Sequence, residues 1–205
     1  MFKLSPEEIS KIRHLYEERL KKFGHNPKSV GWGSTEDQLL RFKVLSEIGD
    51  LKNTSIIDIG CGLGDLYKFL KGCFDNISYL GIDISPKLIE KAREIYEAEG
   101  AEFLHVDILD DSFKREADYF LLSGALNFRV KDNLLLAKNV IKKMFLLARR
   151  GVACNFLSRY VDYETEKNFH YSPEEIFSIS KKISKYLTIR HDYPLWEFTV
   201  YLYKR

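Results

Sequence analysis

Cysteine is scarce in this chain: Cys61, Cys73 and Cys154 form no CxxC pair and no even framework. Neither a zinc site nor a disulfide scaffold follows from them, and reduced thiols are the simplest state. An excess of one charge is also missing. Lys plus Arg number 32 against 30 Asp plus Glu, a net +2 over 205 residues, which argues against a polyanion partner such as nucleic acid. Long apolar runs are absent. The longest mostly apolar stretch, 119–128, falls well short of the ~20 residues that span a bilayer. The opening residues, Met1-Phe2-Lys3-Leu4-Ser5-Pro6-Glu7-Glu8, carry acids where a signal peptide needs an apolar core. The expectation is a cytoplasmic protein without membrane contact. Repeats and low-complexity segments are absent too, and the 45% apolar content suits a single core.

What is present alternates in type. Ser5-Pro6-Glu7-Glu8 and Ser172-Pro173-Glu174-Glu175 each offer a hydroxyl cap, a proline at the first helical position and a glutamate at the third. Ser85-Pro86 has the same start without the closing acid. These signals predict helices over 6–23, 86–99 and 173–185. Apolar spacing adds one from Leu39 to Gly49, a short one from Asp65 to Gly72, and a long one over 134–150 capped by Gly151. Between them lie β-branched or apolar runs at 55–59, 78–83, 102–106, 117–122, 152–157, 188–191 and 197–203. Consecutive apolar residues such as Ile56-Ile57 and Tyr119-Phe120-Leu121-Leu122 suit strands covered on both faces. The alternation predicts an α/β, doubly wound parallel sheet. Pro194 leaves too few residues for a parallel crossover, so the last strand should run antiparallel.

Strand 55–59 runs into Gly60-Cys61-Gly62-Leu63-Gly64-Asp65. Alternate glycines let backbone turn sharply and lie against a ligand. The spacing is GxGxG after Asp58, and an aspartate stands where the last small residue of the dinucleotide fingerprint GxGxxG would fall. A carboxylate there would repel a pyrophosphate but not a cofactor bearing a sulfonium and an ammonium. Asp83 follows 19 residues after Gly64 and could accept two ribose hydroxyls; His105-Val106-Asp107-Ile108 could receive an adenine.

Ile57-Asp58-Ile59-Gly60-Cys61-Gly62-Leu63-Gly64 resembles motif I of the class I, Rossmann-like S-adenosylmethionine-dependent methyltransferases. Gly81-Ile82-Asp83-Ile84-Ser85 resembles the acidic segment that follows it, His105-Val106-Asp107-Ile108 the adenine segment, and Tyr119-Phe120-Leu121-Leu122-Ser123-Gly124 the fourth-strand motif. The resemblance implies a three-layer sandwich around a seven-stranded, mostly parallel sheet with an antiparallel last strand, preceded by N-terminal helices. It makes residues 36–205 the methyltransferase domain and 1–35 a helix with a candidate lid, within one domain overall. It implies S-adenosyl-L-methionine as cofactor and S-adenosyl-L-homocysteine as product. Asp58, Gly60, Cys61, Gly62 and Gly64 would shape the methionine pocket, Asp83 with Ile84 would hold the ribose, and Asp107 with Ile108 the adenine. Ser123 and Gly124 would approach from the fourth strand.

The departures bear on the acceptor. Ser123-Gly124-Ala125-Leu126-Asn127-Phe128 lacks the prolines often found where bases of nucleic acid are methylated, and no acidic cluster suggests a metal. A small-molecule acceptor is favoured, with a protein or RNA substrate, or a non-catalytic cofactor-binding module, as alternatives. An NAD oxidoreductase is the further rival, disfavoured by Asp65. Gly24 to Ser34, with Trp32 between glycines, is either a lid or a surface linker. Arg41 could pair with the cofactor carboxylate. Candidate acid–base groups are His170, Tyr171, His191 and Asn127. Tyr160, Tyr163, Phe169 and Tyr171 suit either an acceptor pocket or the core.

Overall fold

The capping signals act at the helix starts. Ser5 Oγ accepts from Glu8 N while Glu8 Oε2 accepts from Ser5 N at 2.8 Å, the full reciprocal box, and α1 runs Pro6–Phe23. Ser172 Oγ caps Glu175 N at 3.2 Å and opens α6, Pro173–Lys181. Between these lie α2 (Thr35–Ser46), α3 (Asp65–Cys73), α4 (Pro86–Tyr96) and α5 (Asn133–Leu147). The strands are β1 (Ser55–Ile59), β2 (Ser78–Asp83), β3 (Glu102–His105), β4 (Ala117–Ser123), β5 (Ala148–Leu157), β6 (Tyr186–Arg190) and β7 (Glu197–Tyr203). This computed structural model describes residues 3–204. Met1, Phe2 and Arg205 lie outside the described residues, and with them part of the N-terminal reading.

All seven strands form one sheet in the order β3-β2-β1-β4-β5-β7-β6. β1 is parallel to β2 and β4, β2 to β3, and β4 to β5; β7 is antiparallel to both β5 and β6. The short link at Pro194 therefore does what its length demands. Consecutive apolar residues divide between two cores. Ile57, Ile82 and Phe120 pack with Ile141 and Met144 of α5, whereas Ile56, Tyr79 and Leu121 pack with Leu45, Leu66 and Ile89 of α2, α3 and α4. Each such side chain contributes about 1.5–3 kcal/mol by leaving water.

Several boundaries depart from expectation. Helix α5 ends at Leu147, and the segment expected to be its last turn is already β5. Gly151 is no cap: it pairs with Tyr119 and Tyr203, and a Cβ there would lie 2.9 Å from Leu202 O. Close strand packing is what demands the glycine. The α6 helix also stops early, at Lys181, because Ser184 Oγ donates to Tyr203 O and Tyr186 O and turns the chain into β6.

The chain winds outward from β1 to β3, then returns to β4 on the other side of β1. In an open α/β sheet that reversal leaves a crevice beyond the carboxyl ends of the two strands. Among the described residues no helix is long and apolar enough to cross a membrane.

Candidate functional site

The crevice holds a cavity of about 150 Å³. Its floor is the loop from β1 to α3, where Gly60, Gly62 and Gly64 all have positive φ. Gly60 N and Cys61 N both donate to Ile82 O, tying the loop to the end of β2. At Gly62 a Cβ would lie 2.7 Å from Val30 Cγ1, so the loop must stay bare for the segment above it to close down. Gly64 is different: it caps α3, and a Cβ there would strike Phe103 at 2.8 Å, which makes it a packing residue outside the cavity wall.

Among the described residues four carboxylates line this cavity, Asp58, Asp65, Asp83 and Asp107, and no Lys, Arg or His does. Asp83 sits between two backbone donors, Gly62 N at 3.0 Å and Ser85 N at 2.8 Å. Burial raises its pKa, and those donors oppose the rise. Asp107 accepts from Leu109 N at 2.8 Å, the loop cap that a short acidic side chain can always make. Burial raises it as well. Asp58, 2% exposed, is pushed from 3.8 to about 7, chiefly by desolvation against the pull of the Tyr79 hydroxyl. Its Oδ1 and the Ser123 hydroxyl are buried without a hydrogen-bond partner. Orphaned acceptors and desolvated carboxylates fit a ligand that brings cations and hydroxyls. They do not fit a pyrophosphate.

The roof comes from the N-terminal region. Ile12 and Tyr16 of α1 line the cavity with Val30 and Trp32. Arg13 Nε donates to Ile84 O, and Ser85 Oγ donates to Glu17, which fastens α1 over the end of β2. His25 Nε2 meets Asp65 Oδ1 at 2.8 Å, and Gln38 Nε2 donates to the other oxygen. The 24–34 segment thus lies across the glycine loop, with Trp32 against Gly124.

The comparisons with known proteins agree with this chemistry. A family model described as a methyltransferase domain matches residues 56–151. A Mycobacterium tuberculosis relative with the name "Putative methyltransferase Rv1506c" is 33% identical over 158 residues, covering 73% of this chain and 93% of the relative. The chain belongs to the S-adenosylmethionine-dependent class I methyltransferases. The methyltransferase is also 27% identical over 180 residues to a tRNA (guanine-N(7)-)-methyltransferase of Prochlorococcus marinus, across 72% of this chain and 83% of that one. Its fold is that of magnesium protoporphyrin IX methyltransferase from Synechocystis with bound S-adenosylmethionine: TM-score 0.69, 15% identity, 100% of both chains. Human N-acetylserotonin methyltransferase in complex with S-adenosylmethionine gives TM-score 0.73 at 15% identity, over 98% of this chain and 60% of that one.

Of the methyltransferase's residues singled out in the sequence, Asp58, Gly60, Cys61, Gly62, Asp83, Ile84, Asp107, Ile108, Ser123 and Gly124 converge on the cavity. Arg41 does not. Its guanidinium holds Glu197 through Nε at 2.7 Å and Nη2 at 2.6 Å, and stacks 4.1 Å over the Trp32 ring. It lines instead a second, smaller cavity next door, as does Asn127. His170 bonds Ser158 O, His191 packs on Phe198, and neither reaches either cavity. Tyr171 is fully buried, its hydroxyl donating to Leu126 O at 2.7 Å. Tyr160 and Tyr163 are exposed. Among the described residues no group of three or more His, Cys, Asp or Glu is placed to hold a metal. The contribution of α1 was invisible in sequence, since its residues touch the site only through the fold.

Proposed function

We propose that this enzyme transfers the methyl group of S-adenosylmethionine to a small-molecule acceptor, with the acid-lined cavity at the β1–β4 crevice as the donor site. The observation that carries the reading is the lining: four aspartates with no cationic side chain, at the switch point of the sheet. When bound, the cofactor supplies an electrophilic methyl on a sulfonium. The chain's task is then to bind, orient and exclude water. Asp83 holds the ribose hydroxyls, Asp107 and Ile108 receive the adenine, and Asp58 with the glycine loop takes the aminoacyl end. The 24–34 segment acts as the lid, since Val30 and Trp32 lie on Gly62 and Gly124, two of the three glycines that face the cavity. Alignment of donor and acceptor is worth up to about 7–11 kcal/mol in well-oriented systems.

The near-balanced charge supports a small acceptor over a polyanion. The test is calorimetric titration with S-adenosylhomocysteine and, separately, NADH, on the native chain and on Asp83→Ala and Asp107→Ala. Binding of S-adenosylhomocysteine alone, weakened about tenfold or more by either substitution, is the expected result. Binding of NADH, or of neither ligand, would sink the donor-site assignment.

A further inference from the structure

We propose that the second cavity is the acceptor subsite and that it takes a small organic anion, a carboxylate or phosphate head on an apolar body. The inference rests on the methyltransferase reading and goes beyond it to the charge of the substrate. The cavity measures about 130 Å³ and shares Tyr16, Val30, Trp32, Gly124 and Phe128 with the donor cavity, so the two spaces adjoin along those residues.

The two cavities have opposite electrostatics. The donor side carries four aspartates and no cation, whereas the second is lined by Arg19, Arg41 and Lys167 against Glu197 alone. Glu197 is already taken up: Arg41 pairs with it, and Asn155 Nδ2 donates to it at 2.6 Å. Neither Arg19 nor Lys167 forms an ion pair among the described residues. Arg41 Nη1, in a side chain 9% exposed, has no hydrogen-bond partner either. Two cations outside any of these ion pairs, with an orphaned guanidinium N–H on the same cavity wall, offer charge and a donor that an anion would satisfy. Guanidinium and ammonium groups are the ordinary means of holding a carboxylate or phosphate. A neutral or cationic acceptor would leave those donors without a charged partner.

The remaining walls suit the rest of such a molecule. Leu15, Phe128 and Leu157 offer an apolar surface. Asn127 is fixed by accepting Leu157 N on Oδ1, which leaves its amide nitrogen on the Gly124 side, at the boundary of the two cavities.

Trp32 is a built-in reporter, because it lines both cavities and only Trp196 accompanies it in the sequence. The experiment uses full-length Trp196→Phe protein saturated with S-adenosylhomocysteine, titrated with benzoate, phenyl phosphate and neutral benzamide while Trp32 fluorescence is followed. Saturable binding of benzoate or phenyl phosphate, but not of benzamide, is expected, and the better anion identifies the head group. Arg19→Gln and Lys167→Gln should each weaken that binding about fivefold or more, with the affinity for S-adenosylhomocysteine held within about twofold. Arg41 is left intact because its partnership with Glu197 supports the fold. Benzamide binding as tightly as benzoate, or no anion binding at all, overturns the proposal. So does an Arg19→Gln effect on S-adenosylhomocysteine in place of the anion, because the cations would then serve the cofactor's own carboxylate. Failure of S-adenosylhomocysteine to bind is a separate outcome: it removes the methyltransferase site reading, and the proposal with it.

Discussion

The Tyr79 hydroxyl donates to Asp58 Oδ2 at 2.6 Å and leaves Oδ1 of the same carboxyl without a partner at the donor cavity. One oxygen is held in place and the other is open to a further donor. Because desolvation lifts Asp58 to about 7, the group is largely protonated at pH 6 and largely ionised at pH 8. A cofactor ammonium placed there, as proposed, would bind the ionised form. Affinity for S-adenosylhomocysteine should therefore rise about fivefold to tenfold from pH 6 to 7.5, and Asp58→Asn should flatten the rise. Calorimetry across that range checks it; an unchanged slope in the variant would detach Asp58 from the ligand.

The same carboxyl affects stability in the opposite direction. Its folded-state pKa lies above the unfolded value near 3.8. The native state then holds more protons than the unfolded state between about pH 4 and 7. Its stability contribution is complete below pH 4 and is lost as the pH rises through about 7. Asp58→Asn retains an acceptor for Tyr79 but has no charge to desolvate. The variant should be more stable than the native chain at pH 8 and no more stable at pH 4. Urea midpoints at the two pH values measure this directly.

Gly124 has φ +71°, and a Cβ built on it would lie 2.4 Å from Trp32 Cη2. Gly124→Ala has two separable effects. Left-handed backbone costs a non-glycine residue about 1–2 kcal/mol. Displacing Trp32 also moves a wall common to both cavities, and an ångström of misplacement can cost roughly 10²-fold in turnover. We expect a modest drop in melting temperature and a much larger drop in kcat, read by thermal denaturation and by S-adenosylhomocysteine release.

Much of this site could be read from residues 57–124, because the loop and the strand-end acids are local in sequence and their spacing is set by one strand and one turn. Strands 55–59, 78–83 and 197–203 fall on the predicted residues for the same reason: each is bounded by glycine, proline or a charged turn. What stayed hidden depends on distance. Arg41 and Glu197 are 156 positions apart, and no pattern around either announces the other. The apolar run into Ala148-Arg149-Arg150 reads in sequence as a last helical turn, and pairing with β4 and β7 makes it the start of β5 instead.

The Arg41–Glu197 pair joins α2 to the first residue of β7 and supports the face of Trp32. Removing one partner of a buried pair leaves the other charged and desolvated, a loss of about 3–5 kcal/mol. Glu197→Ala should therefore unfold at much lower urea. Arg41→Met combined with Glu197→Leu should recover most of that stability, because neither charge remains to be solvated. A double variant as unstable as the single one would mean that the pair stabilises the fold by more than cancelling its own desolvation.

Tyr171 separates a structural from a catalytic role. Its ring packs against Phe156 and Phe169, with centroids 4.8 and 4.7 Å away, and its hydroxyl ties Leu126 O to the Asn133 side chain. Tyr171→Phe keeps the rings and deletes the hydroxyl, so the buried Leu126 O loses its 2.7 Å donor and keeps only Asn133 Nδ2 at 3.4 Å, a loss of about 0.5–1.5 kcal/mol. A group that handled the acceptor's proton would instead cost about 10²–10⁴-fold in rate with the fold intact. We expect the first pattern: lower denaturation midpoint, and turnover per folded molecule within about threefold of the native enzyme, because the core around Tyr171 excludes it from both cavities. A pH–rate profile that changes shape in Tyr171→Phe would contradict this and bring the hydroxyl back into the chemistry.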